Sequence, residues 1–497
     1  MIKRLVLVLT GIFSVWTGYT QDDAVIRKYG EQILPASLKD NLSILASDAL
    51  EGRETGSRGQ KMAAAFIRAH FEEIGLTGPV EGGYYQQVIL YRRPMPKAYL
   101  QVGQSRFENF DELVYRGLEN REEAGIQLVF GGHGDTKVID ELDVKGKGVI
   151  LFLDEERDNG AISHVKEMGA ALVLICHGDS DEKFKAFSKR ARQGFSSRIT
   201  LTQPDQTEGW NRVIHIAPGV GEQIMGKSFQ ELTVMASHAQ RARQLARLKP
   251  IQASYQLHGG TQKVNSENVL GYLEGTDKKD EVIVVTAHFD HIGKKEGGDG
   301  DNINNGADDD GSGTVAVMEL ARVFAKAKAE GHGPRRSMLF MTVTAEEVGL
   351  LGSAHYTENP VFPLANTVVN LNIDMIGRTD PAHQGKPAYV YVIGADKLSQ
   401  ELHRLNERVN TTYTQLDLDY MYNDVNHPTN LYRRSDHWNF AKHNIPIVFY
   451  FDGIHEDYHR PGDEVTKIEF ELLARRTQLV FYTAWEIANR EDRIVPD

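Results

Sequence analysis

Val282-Ile-Val-Val-Thr-Ala-His288-Phe-Asp290 decides the fold. Val282–Ala287 is a continuous apolar run rich in β-branched residues, as expected for a strand buried on both faces of a parallel sheet. His288 and Asp290 leave its carboxyl end two positions apart, which points both to one side while the chain stays extended. In sheets of this kind, ligands bind beyond the carboxyl ends of the strands.

Working outward from this run, strands and helices alternate. Gly313–Ala329 shows a helical apolar stripe, and Ser337–Thr344, Thr367–Ile373, Tyr389–Ile393 and Ile445–Phe451 read as strands. Ile468–Arg490 closes the chain as an amphipathic helix. Towards the N-terminus, Met62 to Ile74 is helical, a further helix is expected with a cap at Ser37 or Asp40, and Leu50–Gly59 is a glycine-punctuated loop. Between about 98 and 248 the texture changes. Short strands at Ile126–Phe130, Gly148–Leu153 and Ala171–Cys176 alternate with turns and a helix at Ala161–Met168, and no metal-ligand types cluster there. The reading is an α/β protein with a mostly parallel mixed sheet sandwiched by helices, carrying an inserted β-rich α+β module. Its divisions are expected at 21–97, 98–250 and 251–497, after a leader at 1–20.

That leader begins Met-Ile-Lys3-Arg4, continues as the apolar run Leu5 to Trp16, and exits through small and polar residues near Thr20–Gln21, the pattern of a secretory signal peptide. The run is shorter than the roughly 20 residues of a membrane span. The expected location is therefore secreted or periplasmic, without stable membrane insertion. Among 497 residues, 56 basic and 69 acidic side chains leave a net charge of −13, which disfavours a nucleic-acid partner. Cys176 is the only cysteine, so an internal disulfide is excluded; its apolar run predicts a buried, inert thiol.

The chemistry-bearing residues fall at the predicted strand ends. His288 and Asp290 follow the first run, Glu346 and Glu347 follow Ser337–Thr344, Asp374 follows Thr367–Ile373, and His459 follows Ile445–Phe451 by a short loop. Asp309 lies in Gly306-Ala-Asp-Asp-Asp-Gly-Ser-Gly313, a turn leading into a helix. Each feature alone has an ordinary explanation as a cap, a solvated pair or a loop histidine. Their joint occurrence in this order points to a metal centre.

His288-Phe-Asp290, the Gly306–Gly313 turn, Glu346-Glu347, Asn372-Ile-Asp374-Met-Ile-Gly377 and Tyr458-His459 resemble the M28 family of zinc peptidases, over roughly 254–490 plus the N-terminal helical stretch. The section from 98 to 248 resembles a protease-associated domain through Asp143-Val-Lys-Gly-Lys-Gly. The resemblance implies the zinc-exopeptidase fold and two zinc ions bridged by Asp309. His288 and Asp374 would complete one ion, Glu347 and His459 the other. It also implies a cis peptide after Asp309 and a catalytic role for Glu346 as general base toward a metal-bridging water. Asp290 would accept the outer N–H of His288, and Tyr458 would donate to the developing oxyanion. His291, His355, His437 and His455 flank these motifs and stay outside the ligand set, while Thr411–Tyr432 is expected to form a rim.

The activity so implied is removal of N-terminal residues from peptide substrates. Glutaminyl cyclase-like or carboxypeptidase action on the same fold, and a non-catalytic binding protein, are the alternatives. The preferred substrate residue, the native metal and the oligomeric state are not encoded legibly.

Overall fold

The computed structural model describes residues 23–497 apart from 82, 154–159, 177–179, 194–198, 204–211, 229–230, 232–233, 235–240, 296, 298–299, 387 and 425. The expected signal peptide lies outside the described residues. The chain divides into two compact units, one built from residues up to Ile89 together with Asn265–Asp497, the other from Leu90–Val264.

The first unit carries strands β1 (Gln262–Leu273), β2 (Lys278–His288), β3 (Arg336–Val343), β4 (Thr367–Ile373), β5 (Tyr389–Ile393), β6 (Asp417–Asp419) and β7 (Ile447–Phe451). They lie side by side in the order β6-β5-β7-β4-β2-β3-β1. β2 runs parallel to β3 and β4, and β4 parallel to β7, with Val285 opposite Phe340 and Asn372 opposite Phe449. β1 and β5 are antiparallel to their neighbours β3 and β7, so the sheet is mixed with a parallel centre. Its helices are α1 (Pro35–Leu45), α2 (Arg58–Glu73), α3 (Gly313–Ala329), α4 (Leu351–Glu358), α5 (Gln400–Val409), α6 (His437–Ala441) and α7 (Phe470–Asn489).

The period-2 alternation of the parallel strands divides the core. Ile283, Val285 and Ala287 of β2 join a cluster with Leu38, Ile67, Val317, Phe324 and Phe481 from α1, α2, α3 and α7. Val282 and Val284 face the other way, among Leu339, Met341, Tyr356 and Phe440, the last two from α4 and α6. Both faces are covered, which explains why Val282–Ala287 of β2 reads as a continuous apolar run. α1 begins at Pro35 with no side-chain cap, because proline presets the first turn. Ser37, an expected cap, instead donates to Glu319 Oε1 at 2.7 Å. α2 is capped by Ser57, whose hydroxyl accepts from Gln60 N.

The second unit's sheet follows the order Ser105–Glu108, Lys97–Val102, Ile251–His258, Asn120–Phe130, Gly148–Phe152, Leu172–Cys176, Val213–Ile216, Leu113–Tyr115. Asn120–Phe130, Gly148–Phe152, Leu172–Cys176 and Val213–Ile216 are parallel to one another. This order corrects the expected boundaries at 98 and 250. Lys97–Val102 and Ile251–His258 pair with each other as strands of this unit, so a cut at 98 splits one and a cut at 250 strands the other. Cys176 is fully buried, and burial pushes its thiol up to about 12, as an inert core sulfur requires. Among the described residues, no helix is long and apolar enough to cross a membrane.

Candidate metal centre

Because β2, β3, β4 and β7 share one direction, their carboxyl ends open on the same edge of the sheet. His288 is the last residue of β2, Glu346 and Glu347 stand just beyond β3, Asp374 just beyond β4, and His459 in the loop after β7. The turn 306–313 leading into α3 adds Asp309. His288 Nε2 lies 3.3 Å from Asp309 Oδ1, 3.6 Å from Asp374 Oδ1 and 3.8 Å from Glu346 Oε2. His459 Nε2 lies 3.0 Å from both Asp309 Oδ2 and Glu347 Oε2. The two oxygens of Asp309 thus face different histidines, the disposition a bridging carboxylate needs.

The three consecutive aspartates are divided by function. Asp310 accepts the backbone N–H groups of His288 (3.0 Å), Gly313 (2.9 Å) and Met375 (3.0 Å), tying β2, α3 and the end of β4 together. Asp308 accepts Gly377 N at 2.7 Å. Asp309, between them, turns to His288 and His459, and the peptide bond that follows it is cis. Asp463 holds the turn from below by accepting the N–H groups of Asp308 (3.0 Å) and Asp309 (3.1 Å).

Four non-glycine residues at or beside the site adopt the left-handed backbone region: Arg53, Ala345, Met375 and His459. Such conformations are costly and persist where the surroundings over-determine them. At Arg53 the cause is visible. The side chain is fully buried and donates to Phe289 O (2.8 Å), Leu45 O (2.9 Å), Asn305 O (2.6 Å) and Gly306 O (2.9 Å), so one guanidinium clamps the chain after His288 to the chain before Asp309. Its neighbour Thr55 donates to Asp290 Oδ2 at 2.7 Å. Gly52 is required beside them, because a Cβ there would collide with the carbonyls of Asn304 and Gly293.

Asp309 Oδ2 and His459 Nε2 are buried and have no hydrogen-bond partner among the described residues, although they approach each other to 3.0 Å. Both atoms are therefore available to a shared ion. Two donors about 2.0–2.1 Å from a tetrahedral zinc stand about 3.3 Å apart, near the 3.3, 3.6, 3.0 and 3.0 Å that separate His288 from Asp309, His288 from Asp374, His459 from Asp309 and His459 from Glu347. Imidazole and carboxylate are zinc-ligand types, and the residues fit two ions. Histidine and carboxylate oxygens converge in two groups, His288 with Glu346 and Asp374, and His291 with Asp309 and Glu347.

Burial opposes charge throughout the site, yet the pairings prevail. On His288, burial is outweighed by Glu346 and Asp374, which hold its proton well above the usual imidazole range. His459 is pushed up to about 10 against burial by Asp309 and Glu347, and Asp309 is held well below the usual carboxylate range by His288 and His459. Glu346 is driven well above that range, first by burial and then by Asp374 and Glu347. Asp310, buried beside Asp374, is driven up in the same way.

The structure brings together His288, Asp290, Asp309, Glu346, Glu347, Asp374, Tyr458 and His459. It differs from expectation at Asp290. The outer nitrogen of His288, Nδ1, meets the backbone carbonyl of Asp290 at 3.0 Å, whereas the nearer carboxylate oxygen stands at 3.9 Å. That carboxylate is occupied by Thr55 and by Glu346 N (3.1 Å), so Asp290 ties the Glu346 backbone to the β2 end instead. Of the flanking histidines, His291 enters the site and His455 reaches Asp308 Oδ2 at 3.3 Å. His437, in α6, donates Nε2–H to Tyr432 O at 2.9 Å, and burial pushes it down to about 3. Arg53, Thr55 and Asp463 had no place in the sequence reading. Their only signal was a charged residue between glycines in Leu50–Gly59 and an acid shortly after His459.

A pocket adjoins the donors, lined by His288, Asp309, Glu346, Asp374, Tyr458 and Arg434 and walled by Met375, Leu431, Phe449, Phe451 and Ile454. Among the described residues, Leu431 is the one member of the 411–432 segment in that lining.

Residues 268–484 match peptidase family M28. Aminopeptidase YwaD of Bacillus subtilis is 27% identical over 236 residues, 46% of this chain and 46% of its own length. A probable zinc metalloprotease of Leptosphaeria maculans is 26% identical over 261 residues, 45% of this chain and 58% of its own. The chain spans about half the length of these curated relatives. A solved aminopeptidase from Aneurinibacillus sp. strain AM-1 overlays 95% of this chain and 98% of its own, at 19% identity and a TM-score of 0.49.

Proposed function

From the match of residues 268–484 to peptidase family M28, we propose that this chain is an exported two-zinc aminopeptidase that takes an apolar N-terminal residue. One observation carries the reading: Asp309 presents one oxygen to His288 and the other to His459, and the cluster opens into a pocket walled by Met375, Leu431, Phe449, Phe451 and Ile454. His288, Asp374 and Asp309 would hold one ion; Glu347, His459 and Asp309 the other. Bound there, zinc supplies Lewis acidity toward a carbonyl oxygen and lowers the pKa of water.

The chain's own residues do the rest. Glu346 accepts the proton of the attacking water and returns it to the departing amine. Tyr458, stacked on His459 with ring centroids 3.9 Å apart, donates its hydroxyl to the oxyanion as it develops. The apolar wall receives the first side chain and excludes water from the reacting bond. The free α-amine is drawn to the acidic end of the pocket, where Glu346 and Asp374 sit. The apolar run after Lys3-Arg4 supports export, and the Asp143-Val-Lys-Gly-Lys-Gly entry supports a protease-associated role for the second unit.

Dialysis against a chelator, followed by assay on aminoacyl-p-nitroanilides and N-blocked peptides, tests the reading. Metal-dependent cleavage of unblocked leucyl, methionyl and phenylalanyl substrates is expected. Cyclisation of N-terminal glutamine in place of cleavage, or hydrolysis that survives complete metal removal, would overturn it.

A further inference from the structure

His291 lies outside the ligand set just proposed, yet its side chain is fully buried beside Glu347. Its Nδ1 is 2.6 Å from Glu347 Oε1 with hydrogen-bond geometry. The other oxygen of the same carboxylate, Oε2, faces His459 Nε2 at 3.0 Å. The two histidines treat Glu347 differently. His459 Nε2 makes no hydrogen bond despite its proximity, as a metal donor would, whereas His291 Nδ1 makes one. His291 Nδ1 also stands 3.8 Å from Asp309 Oδ2, beyond the roughly 3.3 Å spacing of two donors on one tetrahedral ion.

We propose that His291 is a positioning residue for the second metal site: its Nδ1–H holds Glu347 Oε1 so that Oε2 alone turns to the ion shared with His459 and Asp309. The proposal rests on the two-zinc reading above. A carboxylate on a freely rotating χ3 presents either oxygen or both; pinning one fixes the lone pair the ion meets, which is how partners of metal ligands raise affinity. The backbone places the ring for this task. His291 N donates to Arg53 O at 3.2 Å, so the buried Arg53 segment sets where the imidazole stands. Its ring centroid lies 5.7 Å from that of His459, edge on, which leaves His459 free to approach the ion from the other side.

The test is metal affinity of the full chain, not turnover. Stripped wild type, His291→Ala and His291→Asn are titrated with Zn²⁺ against a chromophoric chelator, with thermal unfolding of the stripped proteins as the control for folding. Wild type should take two ions. His291→Ala should weaken one of them by about 10–100-fold and leave the other within about twofold, the size of effect expected for losing a ligand's partner. Asn places an amide N–H where Nδ1 stood, so His291→Asn should recover most of the loss.

Two unchanged affinities in His291→Ala overturn the proposal. So does loss of the second ion in both variants, which identifies direct coordination by His291. A wild-type chain that takes one ion or none overturns the two-zinc reading itself, and a comparable loss of both ions in His291→Ala shows a general structural role instead.

Discussion

Replacing Arg53 by methionine removes the guanidinium while keeping an unbranched apolar stem in the same space. Four carbonyls lose a donor: Phe289, Leu45, Asn305 and Gly306. Gly306 O keeps a bond from Gly311 N (3.2 Å), which leaves three buried acceptors dependent on Arg53 among the described residues. A buried acceptor left without a partner costs about 1–3 kcal/mol, or about 3–9 kcal/mol for three. Relief from burying the cation offsets part of this. The expected loss is about 3–5 kcal/mol, in line with breaking other buried charged pairings. For a unit of about 300 residues that corresponds to a midpoint lower by roughly 5–8 °C.

The assay is thermal or urea unfolding of wild type, Arg53→Met and Arg53→Lys, with the transition of the first unit followed separately from that of the second. Lysine keeps the charge but lacks the planar fork that reaches both sides of the clamp, so Arg53→Lys should fall between the other two. Zinc affinity should drop along with stability, because the clamp sets the spacing between His288 and Asp309. A destabilisation below about 1 kcal/mol in Arg53→Met would refute the reasoning, since it would mean these carbonyls find other donors at little cost.

Glu346→Gln should retain its zinc content and lose turnover by 10²-fold or more, measured by metal analysis beside leucyl-p-nitroanilide cleavage. Leu431→Phe narrows the pocket wall, so the ratio of kcat/KM for alanyl over leucyl substrates should rise; an unchanged ratio would show that Leu431 does not contact the first side chain. Adding zinc to stripped protein at 100 times its Kd should raise unfolding stability by about 2.7 kcal/mol per independent ion, read as a shift in denaturation midpoint. Cys176, buried and with its thiol pushed up to about 12, should resist a thiol reagent at pH 8 in the folded chain and react once per chain in denaturant.

The first unit and its candidate site were legible where their signals are local. β4, β5 and α3 begin and end where their apolar runs and turn residues place them, and β2, β3, β4 and β7 each lead toward an acidic or histidine residue of the site. Asp309 could be separated from Asp308 and Asp310 only by resemblance, since three identical side chains in a row carry no local mark of their different partners. Arg53 was illegible for a physical reason: its partners are backbone carbonyls at positions 45, 289, 305 and 306, and a carbonyl leaves no trace in a sequence. His291 was quoted but given no role, because a histidine that bonds a metal ligand and one that binds metal have the same spelling. The misplaced boundary at 250 has a similar origin. Ile251–His258 has the composition of an ordinary strand, and only its pairing with Lys97–Val102 and Asn120–Phe130 shows to which unit it belongs.

The first unit is interrupted: the segment carrying Arg53 is synthesised before the second unit, and the residues it clamps come after it. At ribosomal rates of about 5–20 residues per second, the roughly 175 intervening residues impose a wait of about 10–35 seconds before Phe289, Asn305 and Gly306 can follow. The contiguous second unit can complete its sheet in that interval, whereas α1 and α2 emerge with their apolar faces unmatched. Nascent chains released before residue 306 should therefore be the ones that recruit chaperones, and the order of birth of the two units is the reverse of the order in which their first residues appear.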